Sequence, residues 1–413
     1  MRREIDCLIV GSGLGGLTCG TILARRGRRV LLLTRRPLED LLCWVQDRIA
    51  HERSPELWWG FEDGGPLRSL LAPGTGGPGV VRVEPGIQVV LPRHRVSLYM
   101  LGADWERELR REFSEEGATI LRVTERLCRL AAGVPRDMTG RFGRIGGWDG
   151  AWRVGRLSLR AFLRRYRLAT PFCTVAEALA AACFRVEPGQ ATVAMASAAF
   201  GHAQRGLYAP QDGVSAFTGQ LVERFRRAGG EIDIGAVGEI KSRWGTVQGV
   251  TTTDGEVMSC RHLVWEPEPG PEGRIFHLLV DETLIPGEFA QHVLLVETDP
   301  GEGTPVALLH VALASAGTRD DAAPGQRAVV VRILQGSPKE PLDLLERAFP
   351  GWAKARVCPA SSPPKRSEHF LLARRWLRPR NLHVIRPESP LGRGAAAAAW
   401  NGHRIATRLL RRA

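Results

Sequence analysis

Gly11, Gly13 and Gly16 stand at G-x-G-x-x-G spacing, with Ser12 inside the turn. The chemistry this spacing serves is anion binding. Gly11 permits a tight turn, and Gly13 lets the backbone come close to a pyrophosphate. A helix starting just after them offers free N–H groups and the positive end of its dipole to phosphate oxygens. Ser12 belongs to this turn and lacks the surroundings of a nucleophile. The flanks supply the elements that must position the turn. Cys7–Val10 reads as a buried parallel strand, and Leu14–Arg26 as a helix with Leu17, Ile22 and Leu23 apolar. Gly27 marks its stop, and Val30–Leu33 reads as a second strand. Gly20 keeps a small residue where helix and strand approach. The whole is a β-α-β unit of about 30 residues, the context the motif requires.

One position departs from the pattern. An acid normally ends the second strand and bonds a ribose. Here Thr34 stands there, followed by Arg35 and Arg36. Thr34 offers a single hydrogen bond to a ribose hydroxyl. Arg35 or Arg36 suits a 2′-phosphate, hence NADP, or is a solvated charge on an arginine-rich chain. Both readings stand at this point.

No other constellation carries chemistry. The ten histidines are scattered, with no i,i+4 pair and no HExxH, so no metal is expected. The eight cysteines form no CxxC and read as buried, reduced thiols. Trp58, Trp59, Trp148 and Trp152 suit an apolar cavity or ordinary core. Composition excludes a disordered chain: 44% of the 413 residues are hydrophobic and 24% charged. The net charge is +13, and Lys occurs only at 241, 339, 354 and 365, so arginine supplies nearly all of it. Such a surface attracts anions. No apolar run nears the ~20 residues needed to span a bilayer, and no segment of signal length opens the sequence. The expected location is cytoplasmic, with the inner face of a membrane as a possible contact.

Further along, 41–80 reads as irregular and 80–99 as paired strands broken at Pro85-Gly86 and Pro92. Residues 103–132 read as one or two amphipathic helices with a break at Glu116-Gly117, and Gly140–Gly150 as a connector. Residues 153–168 form a basic amphipathic pattern. Leu159, Phe162, Leu163 and Tyr166 share one face, and arginines fill the rest. An anionic membrane surface is the candidate partner for it. Nucleic acid is not expected, because the positive charge is spread along the chain. Helices follow at 174–183, 191–202 and 215–228, strands at 231–234 and 246–252, and a turn at Asp254-Gly255. Short strands over 274–334, a helix at 342–349, and a strand, Gly-containing loop and final helix over 381–412 complete the reading.

In order and spacing these segments resemble the phytoene desaturase and carotenoid isomerase-like branch of the flavin amine-oxidase superfamily. The likeness rests on the turn at 11–27, RVEPGIQVVLP at 82–92 and GLYAPQDGVSAFTGQLVERFRRAGGEI at 206–232. IGAVGEI at 234–240, GVTTTDGEV at 249–257 and NLHVIRPESPLGRGAAAAAWNGHRIA at 381–406 complete it. The resemblance implies an α/β fold: a Rossmann-type FAD-binding domain interleaved with a substrate domain of mixed sheet and helices. The first would take 1–80, 206–265 and 370–413, the second 81–205 and 266–369. It implies FAD, a lipophilic, isoprenoid-type substrate and desaturase, reductase or isomerase chemistry, with no catalytic residue to carry over. Val237 would bracket the adenine, and Gly392 and Gly394 would lie near the flavin. The chain departs from the family at Thr34, in lacking a GGR-like stretch after the second strand, and in carrying Arg386, Glu388 and Arg393 at loop glycines. It is also short around 130–155. Glu388 would repel a diphosphate, whereas Arg386 and Arg393 would pair with it. The alternative is therefore a flavin-free relative of the same fold, a lipid-binding or protein-binding component. Rab GDP-dissociation inhibitors are a precedent for such a role.

Overall fold

The computed structural model describes residues 5–38, 41–46, 49–62, 65, 67–68, 79–131, 156–267, 274–298, 305–313, 325–336, 341–358, 379–386, 388–389 and 392–411. Elements are numbered in chain order. The chain opens with strand β1 (Ile5–Val10), helix α1 (Leu14–Ala24) and strand β2 (Val30–Thr34). The two strands are parallel, from Cys7 opposite Val30 to Val10 opposite Leu33. Helix α1 is apolar nearly all round because it is covered on both sides. One side meets the sheet. The other meets α9 (Ala395–Arg411), and a side chain on Gly402 would run into the Gly15 carbonyl. Only paired glycines allow two helix backbones to approach so closely.

Around this unit a sheet is ordered β10-β11-β12-β1-β2-β9, with β18 on the outer side of β12. Its strands are β9 (Glu231–Ile234), β10 (Val237–Arg243), β11 (Thr246–Thr252), β12 (Val257–Trp265) and β18 (Leu382–Val384). Strands β18, β12, β1, β2 and β9 run parallel, and β10 and β11 form an antiparallel flap. This is a Rossmann-type layer, and it draws on three separate stretches of the chain. Helix α7 (Gly213–Arg227) packs beside α1 through Phe225, against Gly20.

A second sheet is ordered β17-β13-β16-β15-β14-β6-β7. It comprises β6 (Ile87–Leu91), β7 (His94–Leu98), β13 (Arg274–Asp281), β14 (His292–Thr298), β15 (Pro305–Leu313), β16 (Gln326–Gln335) and β17 (Arg356–Cys358). All its pairings are antiparallel except β6 with β14. One face packs on α8 (Pro341–Ala348) through alternating residues such as Val329, Val331 and Ile333. The mixed α/β architecture with a Rossmann-type domain is thus observed.

Helices α2 (Ala103–Glu112) and α3 (Gly117–Ala131) do break at the expected place. Two expectations fail locally. Residues 41–80 are not wholly irregular: β3 (Cys43–Gln46) and β4 (Ile49–Glu52) pair antiparallel, with Trp44 opposite His51 and their rings stacked. Of the strands in 80–99, β5 (Val80–Val83) pairs with β8 (Leu207–Pro210) and not with β6. The glycine connector at 140–150, Trp148, Trp152 and residues 153–155 lie outside the described residues.

The basic segment forms only the short helix α4 (Leu159–Arg164). Its Leu159, Phe162 and Leu163 are buried in the core. Arg160 makes two hydrogen bonds, at 2.9 and 2.6 Å, to the buried Glu177 on α5 (Thr170–Phe184). The apolar face expected to meet a membrane is therefore used internally. No helix among the described residues is long and apolar enough to cross a membrane.

Candidate functional site

The glycine turn joins the end of β1 to the start of α1. Gly11 has φ +131° and donates to the Leu33 carbonyl at 3.0 Å, which closes the turn. Helix α1 begins with Gly13 as its N-cap, so no side chain of the turn satisfies the first amides. A residue from far away does. Glu266 follows β12, the strand beside β1, and its own amide donates to Val10 at 2.8 Å. Its carboxylate lies over the helix start. Oε1 accepts from the Gly15 amide at 3.1 Å and Oε2 from the Gly16 amide at 2.7 Å. The Gly13 amide is a third donor. A Cβ on Gly13 would sit inside this carboxylate.

Glu266 is therefore a long-range cap, a carboxyl group held where the motif holds phosphate. Burial pushes its carboxyl up to about 7, against the opposing pull of the Gly16, Gly15 and Gly13 amides. The sign for stability follows. The native state holds this proton up to about pH 7, whereas a free glutamate releases it near 4.5. The contribution is full below 4.5 and is lost as pH rises to about 7, by roughly 3 kcal/mol. In the unfolding free energy of Glu266→Gln minus wild type, other titrations cancel. That difference should shift by roughly 2–3 kcal/mol in the variant's favour between pH 5 and pH 8. Chemical denaturation at both pH values measures it, and no shift would contradict a raised carboxyl.

The other candidate residues are placed as follows. Ser12 is half-buried on the turn. Thr34 is buried, and its hydroxyl donates to the Arg36 carbonyl at 2.9 Å, a local turn rather than a ribose contact. Arg35 is exposed. Val237 opens β10 and packs with Leu33 and Trp265 beside the ends of the central strands. Arg386 points to solvent, and its carbonyl accepts from Asn401 at 2.8 Å. Its neighbour Ile385 is the residue that faces the turn: it donates to the Trp265 carbonyl at 2.9 Å and lies against Gly15. The expected pairing of Arg386 with a phosphate at the turn is thus not in place. Arg393 stands opposite Glu388 in a two-residue hairpin, β19 (Glu388–Ser389) with β20 (Gly392–Arg393).

The hairpin leads into α9, whose start also carries a carboxylate. Oε2 of Glu56 accepts from the Ala395 amide at 3.2 Å, and Oε1 accepts from Arg185 at 2.6 Å and Ser54 at 2.7 Å. Burial opposes ionisation, but Arg185, Arg332, Ser54 and the Ala395 amide together hold this carboxyl below its usual range. Gly394, at φ +99°, lies against Glu56, and Gly392, at φ +104°, lies against the Cys183 carbonyl. Both helix starts that face the junction of the two sheets are thus capped by glutamates of the chain. Glu56→Ala is expected to lose about 1.5–3 kcal/mol of stability, because it removes the charged hydrogen bond from Arg185 and the cap on the Ala395 amide. A urea midpoint close to that of wild type would contradict this.

The second sheet closes the junction with a polar floor. His292 Nδ1 lies 3.2 Å from His310 Nε2, and His310 stands opposite Arg332. Burial pushes His292 down to about 3 and His310 well below its ordinary value, so both rings are neutral. Trp59 stacks on His202 with centroids 4.4 Å apart. Among the described residues no cluster of His, Cys, Asp and Glu is placed to hold a metal. An apolar cavity of about 280 Å³ lies elsewhere, between Phe276, Val331, Leu342 and Leu345 under α8.

An FAD diphosphate does not fit this arrangement. Its oxygens would need amides already bonded to the Glu266 carboxyl, and above about pH 7, where that group is ionised, the two anions would repel. Sequence reasoning missed both glutamates. Glu266 does leave a trace: an acid closing the apolar run Leu263-Val264-Trp265. Glu56 leaves none.

Residues 9–73 match the NAD(P)-binding Rossmann-like domain. Aklavinone 12-hydroxylase RdmE of Streptomyces purpurascens is 57% identical over 35 residues, 8% of this chain and 6% of that protein. The match thus spans a small fraction of the relative's length. Among solved structures, a putrescine oxidase variant redesigned in cofactor binding superimposes with TM-score 0.65 at 13% identity, covering 99% of both chains. An oxidoreductase from Methanosarcina mazei gives TM-score 0.64 at 14% identity, over 97% of this chain and 99% of the other. A Rab GDI from Plasmodium falciparum gives 0.57 at 11% identity, over 93% of each. These likenesses establish the fold. Residues 9–73 thus match an NAD(P)-binding Rossmann-like domain, and the chain as a whole shares the fold of these three proteins.

Proposed function

We propose that this chain is a binding protein built on the flavoprotein fold, with its own carboxylate in the place of a cofactor phosphate. The observation that carries the proposal is Glu266, half-buried and bonded to the Gly15 and Gly16 amides. Supporting it, the Thr34 hydroxyl is spent on Arg36, and Glu56 caps the second helix start. With both helix starts satisfied internally, the fold stands without a nucleotide, and its surfaces are available for a lipid or protein partner. The test is an absorbance spectrum of the freshly purified chain. A colourless protein is expected. Visible flavin bands at one equivalent per chain would overturn the reading.

A second reading has a specific observation in its favour. The glycine spacing is intact, and the whole chain superimposes on putrescine oxidase. On that reading the protein is an FAD-dependent oxidoreductase of the phytoene desaturase-like branch, acting on a lipophilic, isoprenoid-type substrate. It requires Glu266 to leave the turn, which the same spectrum decides.

A further inference from the structure

The arginines are not spread evenly, as the sequence suggests. Helices α1 and α9 cross where Gly15 meets Ala398 and Gly402. From this crossing each helix has nine more residues, to Ala24 and Arg411. At about 1.5 Å per residue their C-termini finish level with one another. Helix α7 ends beside them: Phe225 fills the notch at Gly20, and burial, Arg25 and Arg227 together pull Arg224 below its ordinary range. All three helices therefore end on the edge of the Rossmann layer opposite the glycine turn.

That edge is basic. The chain leaving α1 carries Arg25, Arg26, Arg28 and Arg29. Helix α7 ends in Arg224, Arg226 and Arg227, and α9 in Arg408 and Arg411. Among the described residues, three carboxylates accompany these nine arginines. Asp6 bonds the Arg29 amide, Glu223 pairs with Arg227 and Glu231 opens β9. Among the described residues, no carboxylate pairs with Arg25, Arg26, Arg28, Arg408 or Arg411. Helix dipoles explain only part of this. Three C-termini carry about half a negative charge each, far less than the arginines supply.

We propose that this arginine edge is a docking surface for an anionic lipid bilayer, on which the chain lies without inserting. Three helix ends at one level make a broad face, suited to a planar surface. Among the described residues this edge carries only helix ends and strand starts, with no helix placed to enter a nucleic-acid groove. The inference is independent of what fills the glycine turn.

Flotation with vesicles of equal parts phosphatidylglycerol and phosphatidylcholine tests it. The full chain should float with these vesicles, lose them as salt is raised, and ignore pure phosphatidylcholine. The variant Arg25→Gln with Arg26→Gln and Arg28→Gln should bind roughly a hundredfold more weakly, at about fivefold for each arginine near the surface. Circular dichroism confirms that this variant is folded. The variant Arg164→Gln with Arg165→Gln and Arg167→Gln, altered at the other basic segment, should float like wild type. Absence of flotation, equal loss in both variants, or binding to duplex DNA in place of vesicles would overturn the proposal.

Discussion

Replacing Glu266 by alanine is expected to create nucleotide binding that the wild type lacks. The carboxylate holds the Gly15 and Gly16 amides and closes the approach to Gly13. A phosphate brought within about 4 Å of it would be repelled by roughly 4 kcal/mol at an effective dielectric near 20 once the carboxyl is ionised, above about pH 7. Removing the side chain frees the amides and removes that repulsion. ADP, which carries the diphosphate half of a dinucleotide, should then bind at least about a hundredfold more tightly than to wild type. Calorimetric titration of ADP and FAD into both proteins measures this. Equal affinities would show that Glu266 does not control the turn. Glu266→Ser, with a smaller loss of polarity, serves if the alanine variant is poorly soluble.

The second large effect concerns Gly13. A Cβ there overlaps the Glu266 carboxylate, so Gly13→Val is expected to lose at least about 3 kcal/mol. The loss has a partner-specific origin. In a Glu266→Ala background the same substitution should cost much less, giving a coupling of about 2 kcal/mol or more in a double-mutant cycle. Urea denaturation of the four proteins supplies the cycle. Simple additivity would mean that glycine is needed at 13 for some reason other than the carboxylate.

Much of the fold was legible because its signals are local. The β-α-β unit, the break between α2 and α3, and the strands at 231–234 and 246–252 each follow from periodicity and turn residues over a few positions. What was not legible depends on register. Glu266 and Gly16 are 250 residues apart, and only the pairing of β12 with β1 brings them together. No periodicity encodes that pairing. The C-terminal loop shows the same limit. Arg386 reads from its position as a phosphate ligand, but the strand before it sets which neighbour turns inward, and Ile385 is buried while Arg386 is exposed. The β3–β4 hairpin escaped because its strands are four residues long and its turn lacks an Asn-Gly or Asp-Gly signal. The basic segment at 153–168 was read as amphipathic, and α4 is so. Periodicity gives the apolar face but not its neighbour, which here is the protein's own core.

The glycine turn, held by the chain's own carboxylate, is open to direct observation. A crystal structure of the wild-type protein grown with saturating FAD would place whichever anion the turn prefers. The account predicts density for the Glu266 carboxylate on the Gly15 and Gly16 amides, with no diphosphate there. A diphosphate on those amides, with Glu266 swung away, would contradict it.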